Sequence, residues 1–287
     1  MHPFDYTAPE TLDEALDLLA SAGAEARVLA GGQSLIPLLN YRLARPRVLI
    51  DLNKLPLEAI RVDGDRVVLG ALTRHADLDE SEDLARVCPI LGEAARMIGN
   101  VRVRALGTVG GSVAHADPAA ELPLVMMALG ASLTAASSRG RRRIPASDFF
   151  VGHLSTALEA DELITEVDVP ATRGKGTALE EQARRSGDFA LVAAAALVSI
   201  DRRGRVDEAR MAYAGVDARP LRARAAEDAL VGHEPTADRL ALAARAARGA
   251  IEPRSDAFAS SAYRSLLVEV LGRRALTRAA NRGLEAT

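Results

Sequence analysis

Apolar positions along the chain change period repeatedly, and those changes outline its elements. Leu12, Ala15, Leu16 and Leu19 fall on one helical face behind Thr11-Leu12-Asp13-Glu14, a capping-box pattern, and Gly23 closes that helix. Phe4-Asp5-Tyr6 before it reads as a short extended segment. An apolar strand over Arg27–Ala30 runs into Gly31-Gly32, a helix follows over Leu35–Leu43, and strand Val48–Leu52 begins after Pro46. Ile60–Leu69 reads as a hairpin about Asp63-Gly64. Asp77–Ile98 is amphipathic at helical period and broken near Pro89, and Asn100–Leu106 leads into a second glycine-rich stretch. Beyond it, Glu121–Leu129 reads as a helix and Ala131–Ala136 as a strand. Ser138-Arg139-Gly140-Arg141-Arg142-Arg143 is a basic turn, read as a solvated hairpin tip in preference to a docking patch for an acidic partner. Phe149-Phe150-Val151-Gly152 opens an irregular segment, and Leu163–Val169 alternates as a strand until Pro170.

Ala171-Thr172-Arg173-Gly174-Lys175-Gly176 has linker composition and marks the main domain boundary. After it come strands around Ala178–Ala183, Leu191–Ile200 and Val206–Ala214, then helices over Ala223–Leu230, Thr236–Arg248 and Phe258–Arg282. Strands followed by helices packed on one face give an α+β class. The 287 residues, 48% hydrophobic and 26% charged, suffice for two or three packed units.

Charge and composition narrow the function. A formal net charge of −3 gives no general attraction to nucleic acid, and no aromatic-basic interleaving suggests a base-stacking platform. No apolar run is long enough to span a bilayer, and Met1–Glu10 lacks the pattern of a secretory signal. The one cysteine, Cys88, reads as a small buried hydrophobe; it excludes an intrachain disulfide and cannot ligate an iron–sulfur cluster alone. The five histidines show no metal-binding spacing, so any redox chemistry needs an organic cofactor.

Candidate chemistry gathers at two glycine stretches. Leu29-Ala30-Gly31-Gly32-Gln33-Ser34-Leu35 lies between a strand and a helix, where free amides and the helix dipole favour phosphate. Thr108-Val109-Gly110-Gly111-Ser112 is the second, read as a turn whose successive amides make an anion-binding concavity. Taken alone, a Gly-Gly stretch reads more readily as a tight hairpin or a site of close packing than as a ligand loop. Neither is the dinucleotide G-x-G-x-x-G fingerprint nor a G-x-x-x-x-G-K-[ST] loop. Together they can grip a pyrophosphate from two sides. Asp117 and Glu121 follow, where carboxylates accept ribose hydroxyls; His115 reads as a structural residue, and no nucleophile stands beside a base, so no catalytic residue is assigned.

At these residues the chain resembles the FAD-binding medium subunits of the molybdenum hydroxylases, the group containing aerobic carbon monoxide dehydrogenase and xanthine dehydrogenase. Ala30–Ser34 matches the family's first flavin-diphosphate segment and Thr108–Ser112 its second, with Ala116-Asp117-Pro118 and Glu121-Leu122-Pro123 in order. The similarity runs nearly end to end. It implies non-covalent FAD, held by Leu29–Leu35 and Thr108–Ser112 largely through backbone amides, with Ala116, Asp117 and Glu121 near the ribose or nucleotide. Ile164 falls where the family places an aliphatic residue near the isoalloxazine. Phe189, in Arg184-Arg185-Ser186-Gly187-Asp188-Phe189-Ala190, replaces a frequent tyrosine and either stacks on the ring or simply begins the strand.

The implied fold is the two-subdomain FAD-binding fold of the vanillyl-alcohol oxidase type, over 1–55 and 56–172. An α+β C-terminal domain over 177–287 follows, with a three-stranded sheet plus helices. The implied function is cytoplasmic electron transfer within a dimer of heterotrimers. Substrate is oxidised at the molybdenum cofactor of a large subunit, and electrons pass through [2Fe–2S] clusters of a small subunit to FAD. They leave to an external acceptor: quinone, NAD or oxygen. Carbon monoxide, an aldehyde and an N-heterocycle stand as substrate classes. The alternatives are a stand-alone FAD-dependent reductase or oxidase of the same fold, and an interaction protein that has lost FAD.

Overall fold

The computed structural model describes residues 1–286. Its first layer is a parallel three-stranded sheet in which Val48–Asp51 lies between Asp5–Thr7 and Ala26–Leu29. Parallel neighbours require crossovers, and helices Leu12–Ala22 and Leu35–Asn40 lie in them. Thr11 caps the first by accepting the Glu14 amide, half of the expected capping box, since the Glu14 carboxylate takes the Glu10 amide instead of that of Thr11; Ala15, Leu16 and Leu19 pack on Ala26, Ile50 and Leu52, as the apolar stripe predicts. The second helix stops at Asn40, short of the expected Leu43, because Leu43 and Ala44 both turn back to the Leu38 carbonyl and Arg42 takes φ +59°.

A five-stranded antiparallel sheet follows, ordered Ile60–Asp63, Arg66–Gly70, Leu163–Pro170, Ser132–Ser137, Gly140–Pro145. The basic turn is shorter than the sequence implies. Gly140 onwards is strand, and Arg139, Arg142 and Arg143 pair with Asp161, Glu162 and Asp168, so the turn spends most of its charge inside the chain. The segment expected to be helical over Asp77–Ile98 is three helices, His75–Glu80, Glu82–Val87 and Pro89–Met97. Ser81 makes the extra break, ending one helix and capping the next through the Leu84 amide. Asn100 likewise caps a helix, Val101–Leu106, that apolar periodicity did not reveal. The irregular segment after Phe149 holds a small ladder between Phe150–Gly152 and Ser155–Thr156.

The third layer is an antiparallel sheet of Gly176–Ala183, Ala190–Ile200, Val206–Ala214 and the two-residue strand Leu221–Arg222, one strand more than expected. Helices Arg224–Leu230, Ala237–Ala250 and Ser261–Glu285 cover one face. The last starts three residues after Phe258, since Asp256 Oδ1 takes the Phe258 and Ala259 amides and Ser260 becomes the cap. Ala193, Ala195 and Leu197 on the other face join the core around helix Glu121–Leu129. Strand Ala190–Ile200 is thus buried on both sides, and its run of alanines lets helices approach from each. Helix Glu121–Leu129 is buried at every position, which its uniformly apolar sequence after Glu121 requires.

Cys88 is fully buried, and burial pushes its thiol up to about 12. No helix among the described residues is long and apolar enough to cross a membrane.

Candidate functional site

The two glycine stretches meet. A Cβ at Gly31 would collide with the Leu106 carbonyl and lie 2.8 Å from Gly107 Cα, so only glycine permits this backbone approach. Gly32 takes φ +70°, again a glycine conformation. The Cβ position of Gly111 is 3.8 Å from Ala30 Cβ, placing the second stretch beside the first.

Hydrogen bonding separates the two. Among the described residues, the amides of Gly31, Gly32, Gln33, Ser34 and Leu35 have no acceptor, and Ser34 makes no capping bond with its side chain. The carbonyl side of the loop is occupied: Gln33 Nε2 donates to Gly31 O at 3.0 Å and Asn53 Nδ2 to Ala30 O at 2.9 Å. This leaves a row of donors without acceptors, while the carbonyls of Gly31, Gly32 and Ser34 are already held.

Thr108–Ser112 is not the open turn expected from its glycines. It is the start of helix Val109–His115, with Thr108 as cap and its Oγ1 accepting the Gly111 amide at 3.1 Å. Val109 and Gly110 donate to Thr73 O and Ala71 O, at 2.9 and 2.8 Å, and Ser112 donates to Thr108 O. Of these amides only that of Thr108 lacks an acceptor. Contact through many amides therefore fits the first stretch, while the second offers the Thr108 N–H and the Ser112 hydroxyl.

His75 holds the approach to this helix. Its amide donates to Gly107 O and its Nε2–H to Thr108 O, each at 3.0 Å. Nδ1 is buried without a partner, and burial lowers the ring to about 4, so it is neutral near pH 7.

A cavity of about 570 Å³ lies against the first stretch, lined by Gly31, Gly32, Gln33, Asn53, Arg74, Leu106 and neighbouring apolar side chains. Asn53 and Arg74 escaped sequence reasoning. They are 21 residues apart and come together only because Asn53 follows the central parallel strand, Arg74 Nη2 donating to Asn53 Oδ1 at 2.7 Å. No local motif signals that meeting.

Asp117 Oδ1 accepts the Ala119 amide at 2.9 Å, and Ala116 takes φ +52° at the helix end. Pro118 O accepts the amide of Gly215 at 2.8 Å, so the third layer fixes this loop. Glu121 is 5% exposed, and burial raises its carboxyl to about 7, with the Glu181 and Asp117 carboxylates adding to the effect. Burial also raises Glu181 to about 7, and its Oε2 has no partner. Ile164 lies in the main core and Phe189 is 57% exposed; neither lines the cavity beside Gly31. The Phe189 loop does reach the second layer, where the Cβ position of Gly187 falls 2.7 Å from Gly99 O.

Residues 2–172 match the model of the FAD binding domain in molybdopterin dehydrogenase, and residues 177–279 that of the CO dehydrogenase flavoprotein C-terminal domain. The chain belongs to the FAD-binding medium-subunit family of the molybdenum hydroxylases. Within this family, it is 41% identical to subunit alpha of the 6-hydroxypseudooxynicotine dehydrogenase complex of Paenarthrobacter nicotinovorans, over 97% of this chain and 95% of that one. Among solved structures, carbon monoxide dehydrogenase from Hydrogenophaga pseudoflava, lacking the Mo-pyranopterin moiety of its molybdenum cofactor, aligns with TM-score 0.94 and 39% identity, over 98% of this chain and 99% of that chain. Quinoline 2-oxidoreductase from Pseudomonas putida 86 aligns equally well, with TM-score 0.94 and 39% identity over 99% of each chain. This FAD-binding medium-subunit chain is thus a flavin-dependent oxidoreductase subunit, and its cofactor is FAD. The acceptor-free amides of Gly31–Leu35 suit that group, since a dianionic diphosphate can accept from several at once.

Proposed function

We propose that this chain is the electron-relay subunit of a heterotrimeric molybdenum hydroxylase. FAD supplies the redox chemistry when bound, and the protein binds and orients it. The amides of Gly31–Leu35 would hold the diphosphate from one side. Thr108 N–H and the Ser34 and Ser112 hydroxyls would complete the grip, with Leu29 and Gly111 giving close backbone approach and Val109 and Gly110, bonded to Thr73 and Ala71, holding the helix start in place. Asp117 and Glu121, beside Ala116, would face the ribose or nucleotide, and Ile164 and Phe189 the ring. Binding is non-covalent in this reading. Electrons would arrive from [2Fe–2S] clusters of a small subunit and leave to an external quinone, NAD or oxygen. Substrate oxidation would belong to the molybdenum cofactor of a large subunit, and the assembly to the cytoplasm.

The observation that carries this reading is the row of acceptor-free amides over Gly31–Leu35, closed against Leu106 and Gly107. An absorbance spectrum of the purified chain supplied with FAD tests it, followed by identification of the nucleotide released on denaturation. A two-band flavin spectrum with released FAD is the expected result. A folded chain that takes up no FAD, alone or with co-expressed molybdenum and iron–sulfur subunits, would refute it. Turnover of an organic substrate by the isolated flavoprotein would point instead to a stand-alone reductase or oxidase.

A further inference from the structure

The cavity beside Gly31 contains one charged side chain among its lining residues, Arg74. Its guanidinium is anchored by neutral acceptors on both sides of the site: Nη1 donates to Leu106 O and Nη2 to Asn53 Oδ1, each at 2.7 Å. Those bonds use two of five N–H donors and leave the planar fork fixed in orientation. Two carboxylates belong to the same neighbourhood. Asp77 Oδ2 accepts the Arg74 backbone amide, and Asp51 is bonded by the Tyr6 hydroxyl and by Asn53. The Arg74 charge helps hold Asp51 below its ordinary range. Neither carboxylate forms an ion pair with the guanidinium among the described residues.

A fixed cation with unspent donors, lining the same cavity as Gly31, Gly32 and Gln33, whose amides have no acceptor, is arranged for an anion. We propose that Arg74 is the side-chain counter-charge of the FAD diphosphate, an affinity-determining contact in a site otherwise built from backbone. The proposal rests on the FAD reading above. It gives Arg74 two separable roles: the fork joins Asn53 to the Leu106 carbonyl, and the charge attracts the diphosphate. Attraction of this kind at a half-exposed site is screened by salt, whereas a purely mechanical brace is not.

The test is FAD binding by the flavin-free full chain, followed by fluorescence quenching between about 50 and 500 mM NaCl, a range over which the Debye length shortens roughly threefold. Wild type, Arg74→Gln and Arg74→Lys are compared, with circular dichroism confirming the fold of each. The expected result is that Arg74→Gln binds FAD about tenfold more weakly at low salt and loses most of the salt dependence. Arg74→Lys, which keeps the charge and gives up the fork, stays within about threefold of wild type and keeps its salt slope. Equal affinity and slope in Arg74→Gln and wild type would overturn the proposal. So would an Arg74→Lys that falls as far as Arg74→Gln, which leaves Arg74 as a brace only. If the wild-type chain takes up no FAD even with its partner subunits, the FAD reading itself fails, a result distinct from either of these.

Discussion

Gly31-Gly32 and Gly110-Gly111 are near twins in composition, with serine two residues after the first pair and directly after the second, yet they solve different problems. At the first, glycine is required because a neighbouring backbone comes too close for any Cβ, and the freed amides are left without acceptors. At the second, the glycines lie inside the first turn of a helix, where Ala71, Thr73 and the Thr108 side chain take up nearly every donor. The Cβ position of Gly110 is 2.7 Å from Ala71 Cβ, so packing of helix on strand, rather than room for a ligand, excludes a side chain there. Accounting for where each amide goes separates a binding loop from a well-capped helix.

Substitutions can break this comparison, beginning with the first stretch. Gly31→Ala should give the largest effect, because the collision is with backbone that cannot rotate away. A loss of FAD affinity of more than about 100-fold is expected, from a titration of the folded variant. A Gly31→Ala chain that binds FAD like wild type would remove the first stretch from the site.

Next in size is the pH response of His75. The unfolded chain takes up a proton near 6.5 that the folded chain refuses down to about 4. The His75 contribution to stability is therefore intact above pH 6.5 and falls as pH drops towards 4, by about 3 kcal/mol. Urea unfolding at pH 7 and at pH 4.5 should show a smaller drop for His75→Gln than for wild type. Identical drops in the two chains would exclude His75 as the source.

Glu121 acts with the opposite sign. Its folded value of about 7 exceeds the ordinary 4.5, so its contribution improves as pH falls from 7 towards 4.5 and is least favourable above 7. In the flavin-free chain, Glu121→Gln should raise stability at pH 8 by on the order of 2 kcal/mol and leave it little changed at pH 4.5. A variant destabilised equally at both values would show that the carboxylate serves packing alone.

The smallest effect is expected at the second stretch. Thr108→Ala removes the cap from Gly111 and should cost about 1 kcal/mol of stability in thermal or urea unfolding. FAD affinity should change by less than about tenfold, since the Thr108 amide remains. A loss matching that of Gly31→Ala would make the two stretches equivalent after all.

What the sequence made legible follows the same division. Strand, Gly31-Gly32 and helix are contiguous, so the first stretch declares itself locally, as do the cap at Thr11 and the buried helix Glu121–Leu129. Thr108–Ser112 reads as a turn because glycine pairs usually break helices; the acceptors that rescue this helix lie at Ala71 and Thr73, out of local view. Short helices set by caps at Ser81 and Asn100 carry too few turns to show a period. Arg74 and Asn53 gave no signal because their meeting is a product of topology. Resemblance supplied what spacing could not, the assignment of the ligand.

Helix Glu121–Leu129 has no solvent face, being shared between the second layer and the sheet of the third. Arg278 and Arg282 stitch the same boundary, both reaching Glu93. The third layer is therefore no detachable appendage. A chain cut after residue 172 would present one bare side of that helix to water and let go of the Pro118 carbonyl, so the two halves stand or fall as one cooperative body.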